Sequence, residues 1–314
     1  MEIYAIPSVS MEDTILRGDK ILMSKLSYGP KMPSSPFEIP WVNIGFFLTM
    51  KSRTKIDSVW WEYKRLRGFS TIKHSQVVVF GSPKKTGEVM IKRCMGLPGD
   101  TILIREEIVF ANQGEIHAAG TIKLISRILF SDCAMATSLF DSLGLEMYHN
   151  TWGGKNYFSS ALTYDQTTVL LNNNFIDSII IEKNRSDTVY KTFPYDNRFP
   201  WTVDNFGPLV VPSKGMEIPL NVENYILYRN VINSNELGVL TTDGENFFMN
   251  GVISSSYTFK KNYYFVLGDN RHDSNDSRYW GVFPEENILG KAFIVLFSNG
   301  EEGLRLNRFF KIIH

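Results

Sequence analysis

Cysteine is scarce in this chain: Cys94 and Cys133 are the only two in 314 residues, and no partner residues stand at metal-site spacing from them. That excludes a disulfide-dense scaffold and a thiolate zinc fold, and leaves open whether the two thiols pair. Net charge is lacking too, since Lys+Arg and Asp+Glu are both 33. No overall field therefore draws the chain to nucleic acid, and the short basic clusters "KSRTK" and "EYKRLR" read as solvated surface. Any apolar run of about 18 residues is missing, so no segment reads as a spanning helix. The nearest one, "IPWVNIGFFLTM" (Ile39 to Met50), is interrupted by Pro40 and Asn43. The opening "MEIYA" lacks the charged-then-apolar layout of a secretory signal. Internal repeats and low-complexity blocks are not found.

What is present is aromatic and β-prone. Aromatics make up 13% of the residues, with 22 Phe and 14 Tyr, which suits a packed globule and not a disordered chain. The runs "KILMS", "SQVVVFG", "VMIKRCMG", "DTILI", "EIVFA", "YYFVLGD" and "AFIVLFS" read as strands bounded by turn residues. Helix signals are fewer. "DSVWWEYKRLRG" (Asp57 to Gly68) has an acidic head, a basic end and a closing glycine, and "NVENYILYRNVINSNE" (Asn221 to Glu236) has helical apolar spacing. Residues 101–260 are polar and Asn-rich, while the flanking segments carry dense Gly-Asp turns. The reading is a mostly β fold: an antiparallel catalytic core from 1–100 and 261–314, with a large β-rich inserted domain at 101–260.

Chemistry gathers in three segments. In "IPSVSMEDTILRGDK", Ser8 and Ser10 stand at i and i+2, so an extended backbone turns both hydroxyls to one face, and Gly18 suits the turn into the next strand. In "VMIKRCMGLPGDTI", Lys92 sits inside an apolar strand. In "YFVLGDNRHDSNDSRYWGVF", Asp, Asn, Arg and Ser crowd the turn after an apolar strand, as in a hydrogen-bonded loop. Serine is a poor nucleophile until a base takes its proton, and a neutral lysine can be that base. Burial among Met11, Val89, Met90 and Ile91 disfavours the ammonium; moving a lysine from about 10.4 to about 8 costs the charged form roughly 3 kcal/mol.

These segments resemble the boxes of type I signal peptidases, bacterial serine-lysine enzymes that remove signal peptides from exported proteins. The opening stretch resembles the nucleophile box, "IKRCMGLPGD" the lysine box, and "GDNRHDSNDSRYWGVFPEENILGKA" the final box, while "GLRLNRFFKIIH" is similar to the family's C-terminal end. The resemblance implies that Ser10 is the nucleophile and Lys92 the general base. It implies also that Ser8 lends its hydroxyl to the oxyanion hole beside the Ser10 N–H, and that Ser274 orients the lysine amine. Asp269, Asp276, Arg278 and Arg93 match supporting charged positions. The substrate would lie extended along the nucleophile strand, with shallow pockets for the small residues of an Ala-x-Ala pattern. Ile6, Pro7, Met11, Met90 and Ile91 would line them. Neither metal nor cofactor is implied; the partners would be signal peptides of exported preproteins and a membrane lipid surface.

Departures from the family pattern are specific. Asp13 replaces the usual proline after the nucleophile, "KHSQ" replaces an Arg-Gly-Asp turn before "VVVF", and His272 reads as a loop residue because Lys92 already fills the place of base. Between Tyr28 and Ser70 the chain is long for the family, and Trp41, Phe46, Phe47, Trp60 and Trp61 are candidates for lipid headgroup contact. Family members carry a membrane anchor directly before the nucleophile box, whereas seven residues precede Ser8 here. The expectation is a fragment or engineered form without its anchor, whose catalytic region belongs on the outer side of the bacterial cytoplasmic membrane. Two rivals remain. A self-cleaving repressor is disfavoured because no DNA-binding module precedes the core, and a non-catalytic relative that binds exported peptides or scaffolds a secretion complex because the Ser-Lys-Ser set is complete.

Overall fold

The computed structural model describes residues 1–12, 14–39, 61–116, 122–152, 155–182, 192–236, 238–300 and 303–314. Its main sheet contains β1 (Glu2–Ala5), β2 (Asp19–Ser24), β3 (Val77–Gly81), β4 (Val89–Gly96), β5 (Tyr263–Leu267) and β6 (Ile288–Gly300). Their order is β1-β2-β6-β3-β4-β5, with Phe283–Pro284 beyond β5 and every pairing antiparallel. Among the described residues this sheet takes strands only from the two ends of the chain, so the fold is mostly β and antiparallel as expected.

Burial on both faces explains why β3 reads as an unbroken apolar run instead of an alternating one. Val77 and Val79 pack with Ile6, Met11, Ile15, Ile21 and Val295 on one face. Val78 and Phe80 pack with Tyr28, Cys94, Val266 and Phe283 on the other. The two cysteines are both free, Cys94 buried in β4 and Cys133 exposed.

Residues between the two ends are of two kinds. Thr101–Arg105, Ile108–Ala111 and Phe206–Val210 form a small sheet whose Ile102, Ile104 and Leu209 share a core with Met95, Phe265 and Leu267 of the main sheet. The helix expected at 221–236 is Val222–Asn235, capped by the Asn221 side chain; its Leu227, Tyr228, Val231 and Ile232 enter the same core. By contrast, 124–181 runs β-α-β-β-α-β, a split β-α-β arrangement with strand order fourth, first, third, second. It has its own core, made of Ile128, Ala136, Phe140, Phe158, Leu162, Leu170 and Ile176. Its second helix, Tyr164–Leu171, starts at a capping box between Thr163 and Gln166.

Two expectations of local structure are corrected. The helix drawn over Asp57–Gly68 is not present in its described part, 61–68, whose N–H groups pair across to 30–34. Trp61 N donates to Ser34 O at 3.0 Å and Leu66 N to Pro30 O at 3.0 Å, while Met32 N donates back to Lys64 O at 2.8 Å. Those bonds replace helical ones, and the Arg65 guanidinium fixes the segment on Gly29 O and Ile288 O. Residues 57–60 of that helix lie outside the described residues, as do Asp13, Trp41, Phe46 and Phe47. The second correction is at the N-terminus: β1 ends at Ala5, and Ser10 lies in a turn closed by Glu12 N on Val9 O at 2.9 Å.

Gly18 makes the turn into β2 with φ of +91°, and a Cβ there would stand 2.0 Å from the Asn299 carbonyl oxygen. Backbone conformation and space both demand glycine. Gly18→Ala is expected to lower stability by about 2 kcal/mol or more, read as a shifted urea midpoint. An unshifted midpoint would show that the turn relaxes freely.

Candidate active site

The turn holding Ser10 faces β4 across a groove. Lys92 projects from β4 with its Nζ 2.6 Å from Ser10 Oγ and 3.1 Å from Ile91 O. Both residues are buried, Lys92 to 4% exposure. Burial dominates the amine's surroundings and holds its pKa below the ordinary 10.5, against the opposing pull of Asp276, Asp269, Asp273 and Glu88. Ser8, outside any strand and exposed, still brings its Oγ to 3.4 Å from Ser10 Oγ. The i, i+2 spacing thus joins the two hydroxyls through a bend and not through a strand face.

Behind the lysine lies a second buried set. Arg93, next along β4, donates Nε to Asp269 Oδ1 and Nη2 to Asp269 Oδ2, both at 2.7 Å. Thr14 Oγ1 donates to Asp269 Oδ2 at 2.6 Å and accepts from Arg93 Nη2 at 3.0 Å. One carboxylate so ties the turn after Ser10, the strand of Lys92 and the loop that follows β5. Asp276 and Arg278 form a similar bidentate pair, with bonds of 2.9 Å. Burial works against the Asp276 carboxylate, but the Arg278 charge and the bonds it receives outweigh that and hold its pKa low. Asp276 also accepts Gly268 N–H at 3.1 Å, fixing the loop that follows β5.

Ser274 departs from its expected place. Its Oγ is buried and has no hydrogen-bond partner among the described residues, so no bond to Lys92 is formed. A Cβ on Gly268 would lie 2.2 Å from that Oγ and 2.5 Å from Ser10 O. Ser274 is therefore packed against Gly268 beside the nucleophile turn, with no hydrogen bond to the amine. Asn270 secures the same turn from its other side, donating its backbone N–H to Ser10 O at 3.2 Å and Nδ2 to Val9 O at 3.4 Å.

In front of the dyad opens a groove of about 320 Å³. All five expected pocket residues, Ile6, Pro7, Met11, Met90 and Ile91, border it together with Ser8, Ser10 and Lys92. Tyr4, Ala5, Asp273 and Asn275 border it too and were missed. Tyr4 and Ala5 continue the alternation of β1, a signal the sequence held, whereas Asp273 and Asn275 enter only through the fold of their loop.

A separate buried cluster contains Glu107, Asp204 and His272, whose ligand-type atoms lie within 4.8 Å of one another. His272 Nε2 is 2.9 Å from Glu107 Oε1 and 3.5 Å from Asp204 Oδ1, though neither contact is aligned as a hydrogen bond. Ligand types suit a divalent cation, but His272 Nδ1 already accepts the Ile125 N–H at 3.1 Å. A neutral ring then carries its single proton on Nε2, where the metal would have to bind. The residues present do not fit a metal site.

A family model described as signal peptidase, peptidase S26, matches residues 1–128 and 162–297. Signal peptidase I of Buchnera aphidicola subsp. Schizaphis graminum is 28% identical over 306 residues, 95% of this chain and 68% of that protein. Signal peptidase I of Helicobacter pylori strain 26695 is 23% identical over 301 residues, 94% of this chain and 74% of that protein. Over 78 residues, 23% of this chain and 22% of the relative, identity to signal peptidase I of Haemophilus influenzae reaches 40%. The unmatched 129–161 falls inside the β-α-β-β-α-β unit.

Arg93→Met would leave Asp269 buried without its cation. The expected cost is about 3–5 kcal/mol, measured by urea unfolding, against about 1 kcal/mol for Thr14→Val. Equal small losses would show that Asp269 finds another partner.

Proposed function

We propose, from the premise that this chain belongs to the signal peptidase family, peptidase S26, that its serine endopeptidase chemistry runs on a Ser10–Lys92 dyad. Cleavage of signal peptides is the activity of that family and of the signal peptidase I relatives. The observation that carries the dyad is the 2.6 Å contact between Nζ and Oγ in a site where burial favours the neutral amine.

In the reactive state a neutral Lys92 Nζ takes the Ser10 Oγ proton as the oxygen attacks the scissile carbonyl. The Ser10 N–H and Ser8 hydroxyl stabilise the resulting oxyanion. The lysine ammonium then gives its proton to the leaving amine, and an acyl-enzyme remains on Ser10. Water, deprotonated by the same amine, attacks the ester and releases the signal peptide as a carboxylate. Asp269, Arg93, Asp276 and Arg278 act as scaffold, and Ser274 supports the nucleophile turn.

Substrate lies extended in the groove. β5 pairs with β4 only from Arg93 onward, so Val89–Ile91 offer backbone groups on that side to an incoming strand. Apolar walls from Ile6, Pro7, Met11, Met90 and Ile91 leave shallow room, which favours the small residues of an Ala-x-Ala pattern. The catalytic core is assigned to 1–100 and 261–314, with 101–260 inserted.

A lipid surface is the further partner. No helix among the described residues is long and apolar enough to cross a membrane. Phe297, Phe309, Phe310 and Ile312 are nevertheless exposed beside one another on β6 and the segment paired to it, with successive Phe ring centroids 6.5 Å apart. Such a patch suits the headgroup region on the outer side of the cytoplasmic membrane. Phe309→Ser/Phe310→Ser is expected to weaken binding to anionic liposomes several-fold while cleavage of a soluble peptide is unchanged. Undiminished binding would remove this surface from consideration.

The dyad is tested by cleavage of an Ala-x-Ala preprotein in detergent. Ser10→Ala and Lys92→Met should each lose about 10³-fold or more in kcat/KM. The parent's rate should rise with pH through a midpoint below 10.5, because only the neutral amine takes the proton. Linkage gives an independent check: between the lowered folded pKa and 10.5 the unfolded chain binds a proton that the folded one lacks. Stability therefore rises with pH across that window, and any stability advantage of Lys92→Met shrinks there. Retained cleavage in either variant would end the dyad reading.

A further inference from the structure

His272 has no part in the chemistry above, yet it stands where two structural units meet. Lys123, just before the β-α-β-β-α-β unit, pairs in parallel with Asn270 of the loop after β5. Lys123 N–H donates to Asp269 O at 3.0 Å, and Lys123 O accepts Arg271 N–H at 3.3 Å. One more step of a parallel ladder would send the Ile125 N–H to the Arg271 carbonyl. That oxygen instead accepts Arg278 Nη2 at 2.6 Å, and Asp276 holds Arg278 in place. The Ile125 N–H goes to His272 Nδ1 instead. An imidazole nitrogen thus stands where the next step of the ladder would place a backbone acceptor.

We propose that His272 is a positioning residue for the peptidase reaction, its neutral ring fastening the first strand of the 124–181 unit to the loop that bears Asp273, Ser274 and Asn275. Its activity readouts rest on the Ser10–Lys92 reading; its structural readout does not. Position matters here because Asp273 and Asn275 border the groove beside Lys92, and Ser274 packs behind the Ser10 turn. Only a ring with a lone pair on Nδ1 can accept from Ile125.

The charged groups around the ring decide its proton. Glu107 and Asp204 face Nε2, Arg271 reaches the Glu107 carbonyl at 3.2 Å, and Arg278 lies behind on the Arg271 carbonyl. Burial lowers the imidazole pKa, but the two carboxylates outweigh it and push the ring up to about 9. The Ile125 N–H opposes that second proton, because protonated Nδ1 would face a donor. The fastening is thus expected to be closed while the ring is neutral and to open as pH falls through the ring's pKa, so the variants are compared on the alkaline side of about 9.

The test compares His272→Asn, whose carbonyl can replace Nδ1 as acceptor, with His272→Gln, whose amide reaches towards the Nε2 position, and with His272→Leu. Amide exchange at Ile125 should stay slow in the Asn variant and speed up about tenfold or more in the other two, with Ile128 and Phe158 still protected. Signal-peptide cleavage should follow: kcat/KM within about twofold of the parent for Asn, and about tenfold lower for Gln and Leu. On the acid limb, log kcat/KM of the parent should approach a slope of two, one proton each for Lys92 and His272, and the Asn variant a slope of one. Equal Ile125 exchange in all four proteins would overturn the proposal. So would unchanged cleavage in the Leu and Gln variants, or loss of protection throughout the unit in every variant, which would make His272 a folding residue only. Should Ser10→Ala still cleave, the dyad reading fails while Ile125 exchange still decides the role of His272.

Discussion

The Asp269 carboxylate is the point on which three distant segments converge. Its two oxygens take both arms of the Arg93 guanidinium and the Thr14 hydroxyl, all inside the protein. A charge pair buried this far gives little net stability, because desolvation offsets much of its attraction. What it provides is position. Thr14 follows the Ser10 turn, Arg93 follows Lys92, and Asp269 lies just after β5, so one set of bonds brings nucleophile and amine to hydrogen-bond distance.

That fixed geometry permits a chemically awkward arrangement. An amine held at 4% exposure beside four carboxylates feels two opposing influences, desolvation and attraction, and desolvation is the larger. The carboxylates are themselves occupied: Asp269 by Arg93, Asp276 by Arg278. Neutralising the acids with arginines leaves the lysine short of counter-charge, which is what a lysine base requires. The two buried ion pairs thus serve the acid–base state of Lys92 as well as the shape of the loop.

Around this centre the chain uses both ends for one sheet and the middle for two different tasks. Residues 101–111 and 206–259 extend the main core, whereas 124–181 encloses a core of its own and touches the site through a few bonds at 123–125 and 269–272. By composition 101–260 reads as one β-rich insertion. Composition could not separate the two parts, because burial of Ile102 or Leu209 against Phe265 is a contact between segments far apart along the chain. The false helix at 57–68 has the same cause: its acidic head and closing glycine are local signals, and pairing with 30–34 overrode them in the described part.

Local pattern by itself determined the strands of the main sheet, the turn at Gly18 and the helix at 221–236, and drew attention to Ser8, Ser10 and Lys92, whose roles only the family resemblance implied. Period, propensity and turn chemistry act over a few residues and are written directly in the chain. Only the tertiary structure decided that Ser8 and Ser10 meet through a bend, that Ser274 forms no hydrogen bond to the amine, and that His272 Nδ1 accepts the Ile125 N–H. Each depends on how segments far apart in the chain pack together: the loop after β5 on the Ser10 turn, and Ile125 on His272. Hydrogen-bond capacity is finite at every atom, and its allocation is settled when the whole chain has folded.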